Sequence, residues 1–313
     1  MLTSFFGNSK TSNYILLAVA LPVVLALRWW VEVSAGPSLW QVLRLSGQSA
    51  LLVLALLLLD FVIRKNKLTQ QNTYALWWFF CGITAAIDLG NLLQSVFLVL
   101  SLLAMRRIIS LANEHNSEKK IFDAALWIIL VSTIYPWFLC LLLPLYMAIA
   151  QLNQGSWRYY VIPLFSGLCL WLIYAGTLVI FTSLGGPYGG ALPLLSFEFA
   201  PIYWSWPKAL WLQLALGSGA LLLLVTVIRL PLSYQEGTSI RQGHFQWIWR
   251  VLIMTLVIAG FSADQKQEVF IWLILPLTAI LYTNILELRQ PSLLREVLAF
   301  LPLVFPLTQL LLK

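Results

Sequence analysis

Apolar runs of roughly 20 residues, separated by short polar breaks, recur along the chain, and they limit its fold more than any other feature. Runs of that length match the hydrocarbon thickness of a bilayer. Inside hydrocarbon a backbone must satisfy its own N–H and C=O groups, which leaves helices or a closed barrel. The Leu-rich stretch from Leu51 to Leu59 lacks the apolar–polar alternation of barrel strands. Only 10% of the residues are charged and 60% are hydrophobic. A soluble domain carries about 25% charged residues, so this chain has too few to coat a globule. The sequence predicts an all-α polytopic transmembrane helical bundle, with residues 1–313 forming one integral membrane domain.

The polar stretch from Met105 to Ile121 orients that bundle. Arg106 and Arg107 close one apolar run, Lys119 and Lys120 open the next, and a water-soluble linker from Ser110 to Ser117 lies between. Basic pairs flanking a short loop mark the cytoplasmic side. Counting from this loop gives about 11 spans, a cytoplasmic N-terminus and an external C-terminus. Of the 19 basic residues, Arg28, Arg44, Lys208, Lys266 and Lys313 then fall outside and the other 14 inside. The reverse orientation would invert that bias.

The spans follow in order. The tail before the first span places Phe5 and Phe6 at the interface, with Lys10 inside. The first span, 13–31, ends in an aromatic anchor at Trp29 and Trp30. Ser38 is an N-cap for a short amphipathic helix on the outer face, before the second span at 47–63. That span ends with Asp60 one turn from Arg64, spacing that pairs them. Spans 74–87 and 90–107 form a hairpin with its tip at Ile87 to Asn91. A fifth span, 122–133, stops at a tight turn around Pro136, and a sixth ends at Gln151. Later spans lie at 159–181, 208–230, 247–261, 269–286 with Pro276, and 294–312 with Pro302 and Pro306. Residues 182–207 are Gly/Pro-rich and aromatic, and are expected to fold back on the outer face or dip into the interface.

The net charge of +7 is scattered over span ends. It therefore points to membrane lipids as partners and away from nucleic acid. Cys81, Cys140 and Cys169 fall within apolar runs without a Cys-x-x-Cys spacing, and the two histidines, His115 and His244, are far apart. No metal site or cofactor is legible in that pattern. The first apolar run has no Ala-x-Ala-type cleavage site and reads as a retained span.

Several stretches resemble an uncharacterised family of multi-pass membrane proteins of Bacteroidota. They are Met1 to Lys10, Asp60 to Thr69, Arg106 to Leu111 with Lys119 to Ala124, and Trp157-Arg158. The resemblance covers roughly the first 180 residues well. It implies a bacterial inner membrane, and it supplies no catalytic residues. Because the matching stretches are largely cytoplasmic span ends, Arg106, Arg107, Lys119 and Lys120 are candidates for docking another envelope membrane protein.

The number of spans and the short helix after the first one are broadly similar to C-type membrane glycosyltransferases and polysaccharide polymerases. That similarity implies an outer-face site for a polyprenyl-phosphate-linked sugar. Such a site needs an acid to activate a hydroxyl acceptor and cations to hold the phosphate. Glu198, Asp88 and Glu32 are the catalytic candidates, and Arg28 and Arg44 the lipid-phosphate candidates. The first outer loop departs from that pattern: it is short and lacks an acidic pair. Glu32 also stands four residues from Arg28, the spacing of a local ion pair, and Asp88 sits where a turn or cap residue would.

Transport is a third reading. Charge-coupled transporters carry ionisable groups within their spans, whereas Asp60, Arg250 and Glu287 lie near span ends here. Asn91, Gln94, Gln213 and Asn284 read as helix-packing polar groups. On balance the sequence favours a noncatalytic subunit or scaffold of a cell-envelope assembly, with the enzyme and then a lipid or solute transporter as alternatives.

Overall fold

The computed structural model describes residues 2–32, 38–111, 116–133, 135–152, 156–183, 213, 217, 248–257, 270–287 and 292–311. All regular structure among the described residues is helical. The chain therefore belongs to the all-α class. Among the described residues, four helices are long and apolar enough to cross a membrane: Thr11–Val31, Leu39–Lys65, Leu92–Ser110 and Arg158–Ile180. Shorter apolar helices lie at Tyr74–Ala86, Pro136–Ala150, Ile248–Val257 and Trp272–Glu287.

The elements run α1 (Leu2–Phe6), α2 (Thr11–Glu32), α3 (Leu39–Lys65), α4 (Tyr74–Ala86), α5 (Leu92–Ser110) and α6 (Ser117–Ser132). A 3₁₀ helix (Pro136–Leu141) leads into α7 (Leu142–Ala150), followed by α8 (Arg158–Ser183) and α9 (Ile248–Val257). A π-helical turn (Phe270–Ile274) opens α10 (Leu275–Glu287). Then come α11 (Ser292–Phe300), a 3₁₀ turn (Leu301–Leu303) and α12 (Val304–Leu311). The chain forms two compact units. The first holds α1 to α4, α5 up to Leu102, and everything described from Phe270 onward. The second holds α5 from Leu103, then α6 to α9.

The first unit is built around α4. All 13 of its residues are buried, as expected of a helix that is apolar all round. At about 1.5 Å per residue it is too short to cross hydrocarbon alone. Instead α2, α3, α10 and α12 surround it. The helix α2 shows how a bilayer protein divides its faces. Leu17, Leu21 and Leu25 are fully buried, while Ile15, Val19, Val23 and Leu27 are each more than half exposed. Both stripes are apolar, and an outward apolar stripe of this length suits contact with lipid or with another protein. In the second unit α6 packs along α8, where Ser166 Oγ donates to the Phe122 carbonyl at 2.9 Å.

Several boundaries differ from the sequence expectation. The amphipathic helix and the second span are one continuous helix, α3, because Ser38 and Gln41 close a capping box at its start and no breaker follows. Phe6 is buried and stacks on Trp77 at 4.8 Å, so it joins the core, while Phe5 is exposed. The turn at Pro136 is a 3₁₀ helix with proline in its first turn. The last span is interrupted at Leu301–Leu303, because Pro302 cannot donate to the α-helical ladder.

Candidate functional site

The turn between α4 and α5 carries a dense set of polar groups. The C-terminal carbonyls of α4 lack intrahelical donors, as at every helix end. Arg28 meets them: its Nη1 donates to the carbonyls of Thr84 (2.7 Å) and Ile87 (3.1 Å). Only 3% of the Arg28 surface is exposed. A guanidinium at a helix C-terminus also complements the helix dipole. The position follows from the helical repeat, since Arg28 extends the buried stripe of Leu17, Leu21 and Leu25.

Two glutamines fix the turn that follows. Gln48 of α3 is fully buried; its Nε2 donates to the Asp88 carbonyl at 2.7 Å, and its Oε1 accepts from the Gly90 amide at 2.8 Å. Gln94 of α5 accepts from the Asp88 amide at 2.9 Å. Asn91 precedes α5 and accepts from the Gln94 amide at 3.2 Å, as an N-cap does. Gly90 takes φ +80°, a left-handed conformation that glycine adopts without a Cβ clash. The result is a rigid turn with the Asp88 side chain exposed.

The structure thus joins Arg28 to the Asp88 turn. Arg28, named as a lipid-phosphate candidate, is buried, with its Nη1 engaged by the end of α4. Arg44 is exposed and lies over the Trp40 ring at 5.5 Å. The backbone of Glu32 ends α2, while its side chain, Glu198 and residues 184–207 of the Gly/Pro-rich segment lie outside the described residues.

The basic residues around the 105–121 stretch divide their tasks. Arg107 pairs with Asp123 at 2.5 Å, and Lys120 Nζ donates to the Ser110 carbonyl at 2.7 Å, closing the end of α5. Arg106 is half-buried, and Lys119 is exposed. In the first unit the predicted Asp60–Arg64 pair forms at 3.0 Å and includes Tyr14, whose hydroxyl donates to Asp60.

The other end of the first unit is a second polar junction. Asn13 is 1% exposed, and its Nδ2 donates to the carbonyls of Phe5 (2.8 Å) and Asn8 (2.9 Å). The Thr73 amide donates to the Phe6 carbonyl at 2.9 Å. Glu287 accepts from the Gln70 amide and from Asn72 Nδ2, both at 2.6 Å, and so clamps the loop between α3 and α4.

Sequence reasoning missed Gln48 as a positioning group and treated Gln94 as ordinary packing. A usable signal was present: helix ends and prolines leave carbonyls without amide donors, and polar side chains in the neighbouring apolar runs must answer them. Among the described residues, no three His, Cys, Asp or Glu side chains come together as a metal site would require. No family model, curated protein or solved structure matches the chain. The class the fold defines is a helical protein with membrane-spanning helices.

Proposed function

We propose that the chain is a multi-pass protein of the bacterial inner membrane and acts as a noncatalytic subunit or scaffold of a cell-envelope assembly. The observation that carries this reading is the engagement of five charged side chains among the described residues with the chain's own structure. Arg28 binds the end of α4, Arg64 pairs with Asp60, Arg107 with Asp123, Lys120 closes α5, and Glu287 clamps a loop. An enzyme or charge-coupled transporter directs such groups at its substrate. The reading includes about 11 spans and a cytoplasmic N-terminus. Lys10 just before α2, and Arg64, Lys65 and Lys67 at the end of α3 and in the loop after it, support that orientation. Lys119 and its basic neighbours are then the docking surface for a partner membrane protein.

One observation favours the second reading, an outer-face enzyme acting on a polyprenyl-phosphate-linked sugar. Asp88 presents an exposed carboxylate on a turn held by Gln48 and Gln94, the preorganisation that general-base chemistry needs. Native mass spectrometry of the protein released gently from its own membrane separates the two. A stoichiometric protein partner with bulk phospholipid is expected. A retained polyprenyl-phosphate or glycolipid, together with failure of Asp88→Asn to rescue a null strain, overturns the subunit reading.

A further inference from the structure

Pro276 has no N–H, so the carbonyl of Trp272, four residues earlier, loses its α-helical donor. The chain answers in two ways. The turn widens to a π-helix over Phe270–Ile274, and Ser101 Oγ of α5 donates to the Trp272 carbonyl at 2.9 Å. The same hydroxyl lies 2.8 Å from the carbonyl of Leu98 in its own helix. A serine hydroxyl has one proton, so it serves one of these acceptors at a time. Ser101 can therefore release Trp272 without losing a partner itself.

The Trp272 side chain makes a second attachment. Its indole Nε1 donates to the Gln94 carbonyl at 2.9 Å, and its ring packs on Phe97 with centroids 5.5 Å apart. Gln94 is also the residue whose Oε1 holds the Asp88 amide. One residue of α5 thus joins the π-turn, through its backbone, to the Asp88 turn, through its side chain. Beyond the proline, α10 is held differently. Leu275 fills the space over Gly82, and Trp78 Nε1 donates to Thr278 Oγ1 at 3.2 Å. The helix is therefore anchored on both sides of a segment whose regular hydrogen bonding is broken, and π-turns of this kind frequently mark functional positions in helices.

We propose that the π-turn Phe270–Ile274 is a hinge latched to α5 by Ser101 and Trp272, and that its release loosens the Asp88 turn through Gln94. The latch has two discrete states, defined by which carbonyl takes the Ser101 proton. The coupling is a continuous chain of contacts: Trp272 to the Gln94 carbonyl, then the Gln94 side chain to the Asp88 amide. A ligand or partner that binds the Asp88 turn in its held form would stabilise the closed latch, and the converse holds by linkage.

Hydrogen–deuterium exchange of the full-length protein in lipid nanodiscs tests this. Ser101→Ala is expected to raise exchange about 5- to 30-fold, the span that a loss of one or two hydrogen-bond equivalents produces. The rise should appear in peptides covering both 270–276 and 86–94, with 76–84 of α4 unchanged. Ser101→Thr, which keeps the hydroxyl, should restore the parent pattern. Trp272→Phe, which keeps an aromatic ring and removes the indole N–H, should loosen 86–94 by a similar factor. A rise confined to 270–276 overturns the coupling, and no rise in either region overturns the latch. If Ser101→Ala raises exchange throughout the unit, the Trp272→Phe pattern decides: a selective rise at 86–94 sustains the proposal, and a uniform one overturns it.

Discussion

Proline in a membrane helix creates a defect at a known address, the carbonyl four residues earlier, and lipid offers nothing to repair it. Two such addresses in this protein are answered by hydroxyls from other helices. Ser101 serves the Trp272 carbonyl ahead of Pro276, and Tyr282 Oη donates to the Leu298 carbonyl ahead of Pro302 at 2.9 Å. Beside the second, the Trp77 indole donates to the Ala299 carbonyl at 3.0 Å. Tyr282→Phe should therefore cost about 1–2 kcal/mol, since no backbone amide can replace the lost donor. Thr177→Val is the comparison: its hydroxyl returns to Tyr174 of the same exposed helix, and the substitution should stay within about 0.5 kcal/mol. Thermal unfolding in a mild detergent reads both. Equal losses at the two positions would mean that proline repair contributes nothing special.

Among whole helices, α2 and α4 make opposite use of apolar sequence. The buried stripe of α2 has an anchor at each end, Asn13 and Arg28, which fixes its depth and rotation against α4. The helix α4 has no outward face, so its neighbours set its position by shape. The closest fit is at Gly82, where an added Cβ would lie 2.9 Å from Leu275 Cδ2 and 3.1 Å from its Cγ. Small residues allow such approaches between membrane helices. Gly82→Val should destabilise the protein by about 1–3 kcal/mol through overpacking. Adding Leu275→Ala should recover part of that, so that the pair costs less than the sum of the single variants. Strictly additive losses in thermal unfolding would show that the two residues do not share this space.

For the molecule as a whole, sidedness is the property that a topology experiment reads most directly. Lys67 lies in the loop before α4 and Leu89 in the Asp88 turn after it, so the two flank opposite ends of that helix. With a membrane-impermeant maleimide, Lys67→Cys should label only after the membrane is opened, and Leu89→Cys in intact cells. The reverse pattern, Lys67→Cys labelled in intact cells and Leu89→Cys only after the membrane is opened, would overturn the orientation. The same comparison checks that α4, with its 13 residues, links two membrane faces despite its length.

The sequence alone determined the class, because apolar runs of bilayer length leave helices as the only economical way to satisfy a backbone in lipid. It also determined the Asp60–Arg64 pair, the Ser38 cap and the turn at Ile87 to Asn91. These are local: each depends on spacing along one helix or on one turn. Only the tertiary structure decided where Arg28 points, which glutamines hold the Asp88 turn, and which hydroxyls repair Pro276 and Pro302. Those contacts join residues as far apart as Trp77 and Ala299 or Ser101 and Trp272. A donor's residue type fixes what it can satisfy, and only the packing of the helices fixes which carbonyl it reaches.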